Sequence, residues 1–191
     1  MLKKSILPVF LIILSGLTTL KAQSADKNVI AVIMSGYSAR VYTEKPVSDN
    51  ETDMIVKAGL KAPSASNRQP WVFTVVKNDS LIQDMIPKIT SGNILIAISG
   101  PATEKDAASV SFDCALATEN MYLAALSLGL GARIYTGPVK SINSRLKGAL
   151  GIPEGYQVIT VLRVGNIDRS VDASSSASTR KNPEELVIYR K

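Results

Sequence analysis

Ala62-Pro63-Ser64-Ala65-Ser66-Asn67-Arg68-Gln69-Pro70-Trp71 stands between a helix-like segment and the apolar run Val72-Phe73-Thr74-Val75-Val76. Pro63 and Pro70 restrict the backbone, while Ser64, Ser66, Asn67 and Gln69 carry short hydrogen-bonding side chains. Taken alone, such a stretch is most often only a connection. A polar loop on a rigid scaffold can equally present a fixed set of donors and acceptors to a ligand.

Upstream, Ser48-Asp49-Asn50-Glu51 has the S-x-x-E form of a capping box. The helix it opens runs through Met54, Ile55 and Ala58 and ends before Pro63. Residues 26–34 predict a short helix with Val29, Ile30 and Ile33 on its apolar side. Downstream of the loop, residues 71–76 predict a strand, 80–86 a short helix and 94–98 a buried strand. The strongest helix covers about residues 104–128, where Val110, Cys114, Ala117, Met121, Ala124 and Leu128 recur at steps of four and three. Leu116, Leu123, Leu126 and Leu130 form a second stripe, so this helix is apolar on two sides and belongs at the centre of the core. Gly129 and Gly131 end it. A helix over 144–150, a strand over 156–164, a serine-rich linker over 172–179 and a strand at Leu186-Val187-Ile188-Tyr189 complete the pattern. Strands separated by helices predict an α/β (α+β) sandwich, a central sheet covered on both faces.

The 191 residues suit one domain with a real core, and 46% apolar content excludes a wholly disordered chain. Lys3 and Lys4 precede an apolar run from Ile6 to Leu17, and Leu20-Lys21-Ala22 resembles a cleavage site. Residues 1–22 therefore predict a secretory signal peptide, with residues 23–191 as the folded domain, exported to the periplasm. An uncleaved membrane anchor is the alternative. A spanning helix needs about 20 apolar residues, and this run is shorter and contains Pro8 and Gly16. Removing three lysines and no acid from the net charge of +6 leaves +3. No basic block interleaved with aromatics suggests nucleic acid binding. The chain has no histidine, which excludes His-based triads and argues against a transition-metal site. Cys114, the single cysteine, has no histidine base and reads as a packed core thiol rather than a nucleophile.

Four segments in order resemble the nitroreductase family. The loop at 62–71 resembles the family's flavin-contacting loop, which carries over Pro63, Ser64, Asn67 and Gln69 as contacts to the ribityl chain and ring. Tyr37-Ser38-Ala39-Arg40 resembles the family's R-x-S-x-R phosphate segment, with Ser38 and Arg40 matching and Gly36 in place of the leading arginine. A guanidinium fork and a hydroxyl suit a dianionic phosphate. Residues 113–125 resemble the core helix. There Asp113, Glu119 and Asn120 read as structural, and the following Thr136 and Gly137 correspond to backbone facing the flavin N5 edge. Arg180 matches the family's C-terminal phosphate arginine, with Ser178 where a lysine would stand.

The resemblance implies a mixed sheet flanked by helices, a homodimer with FMN at the subunit interface, and a C-terminal strand exchanged with the partner. It implies an oxidoreductase acting on small electron-poor molecules such as nitroaromatics or quinones. The flavin would be reduced by a donor such as NAD(P)H and reoxidised in a ping-pong cycle, with no catalytic side chain required. Export would separate the chain from cytoplasmic NAD(P)H. An exported flavin-binding protein without NAD(P)H-driven turnover is therefore the alternative, and a relative that binds no flavin is the third reading.

Overall fold

The computed structural model describes residues 28–103, 105–170 and 179–190. The expected signal peptide and most of the serine-rich linker lie outside the described residues. Elements follow in chain order as α1 (Val29–Ser35), α2 (Asp49–Leu60), a 3-10 turn (Ala65–Asn67), β1 (Val72–Val76), α3 (Asp79–Met85), β2 (Ile94–Pro101) and α4 (Ala107–Ser127). Then come β3 (Gly131–Tyr135), α5 (Val139–Arg145), β4 (Tyr156–Gly165) and α6 (Pro183–Leu186).

Local chemistry sets the helix starts. Glu51 N–H donates to Ser48 Oγ at 3.2 Å, and Ser48 N–H donates back to the Glu51 carboxylate at 2.8 Å, so the expected capping box is formed. Asn78 opens α3 by accepting from Leu81 N–H at 2.9 Å. No described helix is long and apolar enough to cross a membrane.

The sheet has the order β1-β2-β4-β3. Val72 pairs with Ser99, Pro101 with Tyr156, and Tyr135 with Val161, all antiparallel. The α+β sandwich expected from the sequence is present. Its sheet, expected to be mixed, is wholly antiparallel among the described strands. The reason is topological: β2 and β3, joined through α4, run the same way, but β4 inserts between them and opposes both.

Each face of the sheet carries its own core. Ile94, Ile96, Ile98, Leu162 and Val164 meet Ile55 of α2 and Val110, Cys114, Ala117, Met121 and Ala125 of α4. Leu95, Ala97 and Val161 face the other way, onto Ile82, Met85, Ile142, Leu146 and Leu150. A strand buried on both faces reads as an unbroken apolar run, as 94–98 does. Across α4 the buried Thr118 and Thr160 hydroxyls bond at 2.8 Å, and Asn120 Nδ2 donates to Ala58 O at 3.2 Å. Asn120 is thus a structural tie between α4 and α2.

Several local expectations are corrected. β3 was not anticipated. The helix expected at 144–150 lies earlier, at Val139–Arg145, because the Val139 N–H to Thr136 O turn starts it. Ile142, Leu146 and Leu150 keep a spacing of four past the helix end, where the chain turns while still feeding the core. In α1 the buried residue is Val32, whereas Val29, Ile30 and Ile33 face out at 65%, 64% and 49% exposure. At the C-terminus, Asn182 accepts from Glu184 N–H, Pro183 enters at the first turn, and Leu186 ends the short helix α6; the strand expected at Leu186–Tyr189 is one exchanged with a partner copy.

Candidate functional site

The 62–71 loop is built around backbone strain. Ser66, Asn67 and Gln69 take φ of 51°, 55° and 46°, the left-handed region that non-glycine residues avoid. Local bonds support the geometry. Asn67 N–H donates to Ser64 O at 3.0 Å, Gln69 N–H to Ser64 Oγ at 2.9 Å, and Gln69 Nε2 to Asn67 Oδ1 at 3.1 Å. Trp71 is buried in the core and anchors the exit of the loop. Pro63, Asn67 and Gln69 are exposed and Ser64 is half-buried, so the polar groups face solvent from a fixed base. Such strain persists only where the surroundings over-determine it, and it concentrates at ligand sites.

The over-determining partner sits on α4. Asp113 is 1% exposed, and its Oδ1 accepts from Ala65 N–H at 3.0 Å. Its Oδ2 has no hydrogen bond and lies 3.8 Å from Arg68 Nη2. Arg68 also bonds Ser109 and lies 3.6 Å from Asp106. Sequence reasoning read Asp113 as structural and gave Arg68 no role. The signal was a lone acid on the apolar stripe of the strongest helix.

Ser38 and Arg40 lie exposed on a segment held against β3 by Ala39 N–H to Ala132 O at 3.2 Å. The same segment continues to the Tyr42–Ile167 bridge. The Tyr122 phenol of α4 collects several of the expected groups. Burial, and then the Glu119 charge, push its pKa up. A hydrogen bond with Ser38 and the charge of Arg180 pull against them. The phenol stays protonated at neutral pH and is a hydrogen-bond donor. Burial likewise pushes the Glu119 carboxyl up. Ser38, Arg180 and Tyr122 therefore share one neighbourhood, and Tyr122 was missed because a half-buried tyrosine on a core helix reads as packing.

Thr136 and Gly137 follow β3, both exposed, and a methyl group on Gly137 would meet nothing within 4 Å. Four strand steps from Ala132 place Thr136 about 13 Å along the edge strand from the Ser38 segment. The 62–71 loop is elsewhere. It enters β1, on the opposite edge of the sheet, about 14 Å from β3 across the intervening strands. Along α4, the Asp113 anchor of the loop and the Tyr122 neighbourhood of Ser38 are about 13 Å apart. The single chain thus groups Ser38, Arg180 and Tyr122, puts Thr136 and Gly137 on the same edge, and holds Pro63, Ser64, Asn67 and Gln69 apart.

Two cavities, of about 110 and 210 Å³, lie beside α1, the smaller touching Gly36, Tyr37 and Ala39 and the larger touching Leu123 and Ala124. Ligand pockets typically start at about 300 Å³, and neither cavity reaches the loop or Thr136. Among the described residues no cluster of three or more Cys, Asp or Glu is placed to hold a metal ion. Cys114 is buried, and burial, together with the neighbouring Asp113 charge, pushes its thiol up to about 12. It is a core residue, as expected.

The family model for the nitroreductase family matches residues 33–97 and 89–166. A relative from Archaeoglobus fulgidus, named as an NADH dehydrogenase/NAD(P)H nitroreductase, is 33% identical over 82% of this chain and 95% of its own length. The NADPH-flavin oxidoreductase of Vibrio harveyi is 25% identical over 85% of this chain and 73% of that protein. In fold, the chain is similar to a Bacteroides fragilis nitroreductase crystallised with bound FMN. That match has a TM-score of 0.70 at 22% identity and covers 85% of this chain and 99% of the other.

Proposed function

The chain belongs to the nitroreductase family, and on that premise we propose that it is an FMN-dependent oxidoreductase acting on small electron-poor acceptors such as nitroaromatics and quinones. The observation that carries this reading is the strained, donor-rich loop at Ser64–Gln69, latched to the core helix and open to solvent. When bound, FMN supplies the redox chemistry, taking electrons from a donor and passing them to an acceptor in alternation. The chain's own residues bind and orient it.

Ser38, Arg40 and Arg180 hold the phosphate, a dianion that suits guanidinium forks and a hydroxyl. The Tyr122 phenol adds a donor beside Ser38. Pro63, Ser64, Asn67 and Gln69 line the ribityl chain and ring, and the backbone at Thr136 and Gly137 faces the reactive edge. The free space around Gly137 fits close approach by a planar ring. The absence of histidine matches a reaction in which the side chains position rather than transfer protons.

The separation of the loop from the Ser38 group supports a homodimer in which each site takes its loop from one copy and its phosphate group from the other. The names of the relatives support NADH or NADPH as donor. The proposed mature chain begins near Gln23 and is exported. An intact mass from periplasmic protein tests this, and full-length protein confined to the cytosol would overturn it.

The deciding experiment is a visible spectrum of purified protein, followed by NADPH oxidation with a nitroaromatic or a quinone. One flavin per chain with turnover supports the proposal. Bound flavin without NAD(P)H oxidation by either donor supports the flavin-binding alternative. Protein that stays colourless after incubation with FMN rejects both.

A further inference from the structure

We infer that Asp113 and Arg68 are positioning residues that hold the flavin loop in its binding conformation, acting as a latch between α4 and residues 64–69; this rests on the FMN reading above. Three left-handed residues within four positions, Ser66, Asn67 and Gln69, make the loop costly to hold by its own bonds.

Two contacts reach the loop from α4. One Asp113 oxygen accepts the Ala65 amide at 3.0 Å, immediately before the strained residues. The other faces Arg68 Nη2 at 3.8 Å, between Asn67 and Gln69. Both Asp113 contacts come from a side chain that is 1% exposed, while Arg68 stays partly open. A carboxylate so buried costs free energy unless it is paired. Asp113 Oδ2 has no hydrogen bond, so Arg68 is its only counter-charge within reach among the described residues. Pulling the loop away would strand that carboxylate. The buried acid and the strained loop therefore hold each other: loop strain is offset by keeping Asp113 paired. The same Nη2 donates to Ser109 Oγ at 2.5 Å, and Nη1 lies 3.6 Å from Asp106, so the guanidinium is held at both ends.

Asp113→Asn keeps an oxygen for Ala65 and removes the charge opposite Arg68. In the apoprotein, amide exchange at Asn67, Arg68 and Gln69 should accelerate about tenfold or more, because local opening no longer strands a charge. The FMN dissociation constant should rise by about tenfold. Ser66→Gly supplies the discriminating readout, since glycine adopts positive φ without strain. Added to Asp113→Asn, it should recover much of the exchange protection and of the FMN affinity. A purely structural role for Asp113 in the α4 core would leave the double variant as weak as the single one. Unchanged exchange and affinity in Asp113→Asn, or no recovery with Ser66→Gly, would overturn the latch. If the unsubstituted protein takes up no FMN, the functional reading fails, while apoprotein exchange still decides the latch.

Discussion

Gly131 is where the candidate phosphate segment leans on the sheet, and Gly131→Ala should dislodge it. A methyl group there would stand 2.1 Å from Ile167 Cγ2, 2.7 Å from Ala39 Cβ and 3.3 Å from Tyr42 Cε1. Carbon atoms pack comfortably at about 3.5–4.0 Å, so the nearest neighbour must retreat by about 1.5 Å. Ala39 cannot rotate out of the way, because its Cβ is fixed to the backbone. The Ala39 N–H to Ala132 O bond and the Tyr42–Ile167 bridge must therefore stretch or break. Overpacking of this kind costs about 1–3 kcal/mol, partly offset by the 0.5–1 kcal/mol that alanine gains over glycine inside regular structure. Net destabilisation of about 1–2 kcal/mol is expected in urea unfolding of the apoprotein. Ser38 and Arg40 flank Ala39, so FMN affinity in a titration should fall as well, by about tenfold. Gly137→Ala is the internal control. Nothing lies within 4 Å of its added methyl group, so stability should stay within about 0.5 kcal/mol. A Gly131→Ala protein with native stability and native FMN affinity would refute the reasoning that Gly131 sets the position of the 38–42 segment.

Arg40→Ala should weaken FMN binding by about 1.5–3 kcal/mol, the scale of a hydrogen bond to a charged group; an unchanged dissociation constant in titration would put the phosphate elsewhere. Deleting residues 182–191 should reduce both dimer mass in light scattering and flavin absorbance; a truncated dimer that keeps its flavin would show that the arm is dispensable. Burial holds the Cys114 thiol at about 12 in the folded chain against 9.0 for the free group, so the folded state keeps a proton that the unfolded state loses. Stability should accordingly be unaffected by this group below pH 9 and fall by up to about 1.4 kcal/mol per pH unit above it. A Cys114→Ser variant, compared in alkaline urea unfolding, should lack that slope.

The parts of the fold visible in the sequence were those with a local cause. The Ser48–Glu51 box, the apolar run at 94–98 and the stripes of α4 each state their own structure, and each is found where expected. β3 escaped because the five residues Gly-Ala-Arg-Ile-Tyr follow directly on the glycine signal that ends α4, and their alternation is too short to stand out before β4 pairs with them. What covers the outward face of α1 and the apolar C-terminal run was not legible for a related reason, since an apolar residue states that it should be covered but not by what. In the candidate site, the family resemblance named the proposed contact residues, while the groups that hold them in place were hidden. Asp113, Arg68 and Tyr122 act across sequence separations that no local pattern reports.

The exposed apolar residues and the divided site raise the same physical problem. Val29, Ile30, Ile33 and Met34 on α1, Phe112 on α4, and Ile188 and Tyr189 at the C-terminus are all between 49% and 85% exposed. Side chains scattered singly would need no explanation, but runs of them on one helix and one chain end favour burial by a partner. The 62–71 loop and the Ser38 group are held by opposite ends of α4 and opposite edges of the sheet, so neither can close on the other without dismantling the core between them. Within one chain, both features are costs without a return. In the proposed homodimer, a twofold axis would turn each copy's loop toward the other's Ser38 group, since an isologous contact exchanges every residue pair reciprocally. It would also give the outward residues of α1 a surface to meet. The rigidity of the latch at Asp113 gains its purpose there, because a loop that serves a neighbouring copy's ligand must be shaped before the two copies meet.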